Sequence, residues 1–112
     1  MTKYLISFPS VAMQLTGEDL ARAGVESREV IEQAKAAGVY VFGGGIDEGV
    51  DPVLVAADGS VTPDTYPGSI LTGGFTVIDV ATRQDAEAWA RRIAAACRCS
   101  QELRAFMYDP AS

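Results

Sequence analysis

The chain has 112 residues, 48% of them apolar and 21% charged, and a formal charge of −6 from 9 basic and 15 acidic side chains. That size predicts one domain, residues 1–112, built round one core, and the negative field argues against nucleic acid or an anionic membrane as a direct partner. Histidine is absent, which removes the commonest neutral-pH acid/base group and metal ligand, so any catalysis needs other side chains and no metal or cofactor is expected.

The first residues, Met1 to Pro9, carry one positive side chain and an apolar run too short for a signal-peptide core, which predicts a cytoplasmic protein. Tyr4-Leu5-Ile6-Ser7-Phe8 is a short span rich in aromatic and branched residues, and reads as a strand that Pro9 ends. Thr16 before Gly17-Glu18-Asp19 is a helix N-cap with acid in the first turn. Leu20, Ala23, Val30, Ile31, Ala34 and Ala37 recur at helical spacing as far as Gly38, which suits the left-handed position beyond a helix end. Gly24 weakens the middle and predicts a kink or break there.

Val39-Tyr40-Val41-Phe42 reads as a second strand, with Gly43-Gly44-Gly45 as a bulge or bend after it. Asp47, Glu48 and Asp51 surround Gly49 as a solvated acidic turn, without the ligand spacing of a calcium loop. Val53 to Ala56 and Ser60 to Thr62 flank Asp58-Gly59, a strong hairpin signal. Pro63 to Ser69 reads as an ordered loop, and Gly73 to Val80 as a strand. Thr82 begins a second helix, in which Ala86, Trp89, Ala90, Ile93 and Cys97 form the clearest apolar stripe in the chain. Glu102 to Tyr108 reads as the closing strand. Cys97 and Cys99 are too close for an unstrained disulfide and too few for structural zinc, and read as packed thiols.

Strand, helix, strand, hairpin, strand, helix, strand is an α+β order, a ferredoxin-like split βαβ with an inserted β-hairpin. Right-handed crossovers place both helices on one face of the sheet and leave the other bare. The strands offer large apolar groups to both sides, so a second copy packed sheet against sheet is the simplest cover.

From Pro63 to Val80, and in its whole layout, the sequence resembles the YCII-related, or DGPF, family of small bacterial proteins. Leu71 to Val80 looks like the family's Gly-Gly-Phe strand, Ala86 to Ala90 like its Ala-Glu-Ala-Trp-Ala helix, and Ala36-Ala37-Gly38-Val39 like its first-helix exit. The resemblance implies a homodimer of dimeric α/β barrel type with a cleft between sheet and loops, and some relatives are associated with transcription-initiation factors. The signature is altered here to Pro63-Asp64-Thr65-Tyr66-Pro67, and Ser27 and Arg28 stand in the region where enzyme-like members carry a histidine, so no His-Asp dyad can form.

Two functions are expected from these features. One is a small-molecule enzyme of isomerase or hydrolase type, with Asp64 as base, and with Tyr66, Ser69, Thr72, Gly73 and Arg104 holding a small anionic metabolite. The other is a non-catalytic ligand-binding or regulatory homodimer using the same cleft. A common cavity shared by Asp64, Tyr66 and Arg104 would favour the first.

Overall fold

In the computed structural model, which describes residues 1–112, the chain runs β1 (Thr2–Phe8), α1 (Gly17–Ala36), β2 (Tyr40–Gly45), β3 (Leu54–Val55), β4 (Val61–Thr62), β5 (Gly74–Val80), α2 (Arg83–Cys97) and β6 (Glu102–Ala105). A single 3-10 turn, Ser10–Ala12, comes directly after β1 and Pro9. The four long strands form one open antiparallel sheet in the order β2-β5-β1-β6, and β3 and β4 form a separate two-stranded hairpin. No helix is long and apolar enough to cross a membrane.

The register decides which side chains share a face, because residues directly opposite across a ladder point the same way. Tyr4 lies opposite Ile78, and Ile6 between Thr76 and Leu103, on the side the helices cover. Ile6 and Ile78, each 1% exposed, anchor that core against Ala86, Ala90 and Ile93 of α2 and Val30 of α1. Lys3, Leu5 and Ser7 face the other way, with Asp79, Val77 and Phe75 beside them on β5 and Arg104 and Glu102 on β6.

α1 runs unbroken through Gly24, contrary to the kink expected there: its neighbour Ala23 is fully buried, and tertiary packing outweighs glycine's helix penalty of about 1 kcal/mol. Gly38, at φ +75°, ends the helix in the left-handed position its lack of a Cβ permits. The Thr82 hydroxyl caps α2 by accepting from the Asp85 amide at 3.1 Å, whereas Thr16 makes no side-chain cap. Two strand ends also differ from expectation. β2 continues through Gly43, Gly44 and Gly45, paired with Thr76, Phe75 and Gly74, and the irregularity falls between Tyr40 and Phe42 instead. β6 stops at Ala105; the Phe106 amide still donates to the Lys3 carbonyl, but β1 begins at Thr2, so almost no strand is left for Met107 and Tyr108 to pair with.

The stretch from Ile46 to Gly73 is an arm. Its root is closed by the Ile46 amide on the Gly73 carbonyl (2.9 Å), the Ser10 amide on the Thr72 hydroxyl (3.1 Å) and the Ser10 hydroxyl on the Glu48 carboxylate (2.9 Å). Between Gly49 and Leu71 every hydrogen bond stays within the arm. The hairpin turn forms as its sequence dictates: Gly59 sits at φ +90°, and Asp58 accepts from the Ser60 amide at 2.9 Å.

Candidate functional site

A groove of about 790 Å³ lies on the helix-covered side of the sheet, between α1 and the β2 edge. Its origin is the glycine run. Gly43 and Gly45 face the same side as Tyr40, Thr76 and Gly74, and so present no side chain to the helix layer where a larger residue would fill the space. Part of that space is already taken: an added Cβ would meet the Tyr40 hydroxyl at 3.0 Å at Gly43 and the Phe8 ring at 2.6 Å at Gly74, so Gly45 is the position left open. Phe8, Leu20 and Ile31 give the groove an apolar wall, and Ser10, Ser27, Arg28, Tyr40, Glu48 and Gln101 supply its polar groups.

Arg28 is exposed and makes no hydrogen bond or ion pair, so its five N–H donors are free at the mouth of the groove. The other charged side chain there, Glu48, accepts from the Ser10 hydroxyl. Ser27 donates to the Gly24 carbonyl one turn back. Cys97 lines the base of the groove, and burial, with Cys99 nearby, pushes its thiol above the ordinary range despite Arg98. At neutral pH it is therefore a protonated thiol and not a nucleophile. One free guanidinium, several hydroxyls and an apolar wall together suit a small organic anion with a hydrocarbon part.

Of the candidate binding and catalytic residues singled out from sequence, Gly73 alone lines this groove; Thr72 lies next to it outside the lining, its hydroxyl accepting from the Ser10 amide. Asp64, Tyr66 and Ser69 lie on the outer part of the arm, exposed; Asp64 accepts from the Thr65 amide at 2.8 Å, and the Ser69 amide donates to the Tyr66 carbonyl. Arg104 is on the opposite face of the sheet, paired with Glu102 at 2.8 Å. Within one chain, then, Asp64, Tyr66 and Arg104 do not share a cavity.

Sequence reasoning missed Arg28, Ser10 and Tyr40 as a set. One signal was present: Ser27 occupies the position in the Leu20, Ala23, Val30, Ala34 stripe where an apolar side chain is due, and Arg28 stands next to it. Asp47 and Glu48, read as a solvated acidic turn, accept from the Gly49 amide and the Ser10 hydroxyl. On the bare face, the tail beyond β6 borders a second hollow of about 500 Å³ with Lys3, Val77, Phe106 and Tyr108.

Comparison with known protein families and with curated proteins finds no match to this chain.

Proposed function

We propose that the chain is a ligand-binding homodimer of the YCII-related kind that holds a small anionic metabolite in the groove between α1 and β2. The observation that carries this reading is the unpaired Arg28 guanidinium at the mouth of a groove floored by glycines. A ferredoxin-like fold is supported by the strand order β2-β5-β1-β6 with both helices packed on one face. Pairing through the bare sheet face, as in a dimeric α/β barrel, is supported by Leu5, Phe75 and Val77 lying there under no second layer. Cytoplasmic residence is part of the same proposal, from the N-terminal sequence.

The alternative, an isomerase or hydrolase using Asp64, has less to support it. A catalytic carboxylate gains its altered proton affinity from desolvation or a charged neighbour, and Asp64 is exposed and engaged with its own loop. The groove contains no thiolate, and the Ser10–Glu48 contact lies at its exposed rim, where it holds the arm root. A regulatory role linked to transcription rests on the family resemblance alone.

A thermal-shift screen with small carboxylic acids and phosphorylated metabolites tests the proposal. A ligand at 100 times its dissociation constant adds about 2.7 kcal/mol to stability, enough to raise the midpoint by several degrees. The wild type is expected to respond to at least one such anion, and Arg28→Gln, which breaks no hydrogen bond or ion pair within the chain, is expected to melt normally and lose the response. A response that survives Arg28→Gln, or none to any anion, would overturn the assignment.

A further inference from the structure

We infer that the arm, residues 46–73, packs on a second copy of the chain rather than standing in water. This rests on the homodimer reading and says where most of the contact lies. The chain exposes 7738 Å² of surface, whereas a folded monomer of 11.8 kDa exposes about 5,900 Å². The excess, roughly 1,800 Å², is about twice what each partner of a standard protein–protein interface buries.

The bare sheet face does not account for that area. Four strands about 4.8 Å apart and no more than 7 residues long cover roughly 19 by 23 Å, on the order of 440 Å². The arm, a quarter of the chain, carries 8 of its 17 exposed large apolar residues, among them Val53, Val55, Val61, Tyr66, Ile70 and Leu71. Nor does the arm fold back on its own body. The molecule measures 43 × 43 × 21 Å, and 21 Å is the thickness of one helix layer on one sheet, so the arm extends sideways in the plane of the slab and covers neither face. The radius of gyration, 15.7 Å against about 13 Å for a compact chain of this length, reports the same projection.

Charge points to a second copy as the occupant. The arm holds 5 of the 15 acidic residues (Asp47, Glu48, Asp51, Asp58 and Asp64) and none of the 9 basic ones. Every cation is therefore in the body; Arg83 and Arg104 are already paired with Glu87 and Glu102, but Lys3 on the bare sheet face and Arg91 on the outer side of α2 are exposed and have no carboxylate partner. The body carries those cations together with the other 10 acidic residues, so the complementarity is local: an apolar arm with five carboxylates and no cation meets unpaired cations such as Lys3 and Arg91 on a second copy, and a two-fold axis satisfies both arms at once.

The test compares the wild type with the triple variant Tyr66→Ser, Ile70→Ser, Leu71→Ser by light-scattering mass across a dilution series. These three side chains are 77%, 73% and 67% exposed in the single chain, so the variant should keep its far-ultraviolet circular dichroism. The expected result is a dimeric wild type and a variant whose dimer dissociates at least 100-fold more readily. A variant that dimerises as tightly as the wild type would overturn the arm contact and leave the homodimer standing; a wild type monomeric throughout would overturn both. Hydrogen exchange of the wild type gives an independent reading. The Ala56 and Gly59 amides of the arm should lose protection on dilution into the monomer range, and unchanged protection would count against the inference.

Discussion

The Ser10 hydroxyl donates to the Glu48 carboxylate at 2.9 Å and so ties the exit of β1 to the first turn of the arm, while the Ser10 amide holds its last turn through Thr72. One residue thus grips both ends of an insertion that otherwise makes no hydrogen bond to the body beyond its root.

Ser10→Ala is expected to change global stability by no more than about 1 kcal/mol, the net worth of a partly exposed hydrogen bond. Its effect should instead be local. Hydrogen exchange at the Ile46 amide, which closes the root on Gly73, is expected to quicken while the Ile6 and Ile78 amides keep wild-type protection.

Gly73 and Gly68 both have positive φ, +77° and +79°, yet substitution should separate them. A Cβ at Gly73 would land on the Phe8 carbonyl oxygen and within 2.9 Å of the Ser10 amide nitrogen and the Pro9 carbonyl carbon, all of them backbone. At Gly68 it would meet nothing within 4 Å. Gly68→Ala should cost about 1 kcal/mol for the left-handed backbone alone, and Gly73→Ala about 3 kcal/mol or more, read from urea midpoints.

Acid should destabilise the fold through two carboxylates. The Arg98 guanidinium, hydrogen-bonded to Glu26 at 2.7 Å, holds that carboxyl below its ordinary 4.5, and the Ser60 amide holds Asp58 below its ordinary 3.8. A group with a lowered folded value contributes stability above its unfolded value and loses it as pH falls through the folded one. Thermal midpoints are therefore expected to be insensitive to these two groups near neutrality and to fall below about pH 4.5, with Glu26→Gln removing part of the decline.

Periodicity made much of the fold legible. The stripe from Ala86 to Cys97 and the Asp58-Gly59 turn need only their own residues to specify them, and both form where local chemistry puts them. The β2 glycines were not legible as strand, because glycine has no side chain to favour it and Gly43 to Gly45 are ordered by pairing with β5, some thirty residues away. The candidate site was legible only at Gly73, just before β5, with Thr72 beside it at the arm root. Arg28, Ser10 and Glu48 come from three separated segments, and only the register of β1 against β5 and the position of α1 over β2 bring them to one groove.

The equilibrium sedimentation mass of the wild type bears most directly on the account, since the exposed sheet face and the projecting arm each call for a second copy. A mass of twice 11.8 kDa, persisting on dilution to low micromolar concentration, is the predicted result. A mass of 11.8 kDa at every concentration, from a chain that stays folded and disperse, would contradict it.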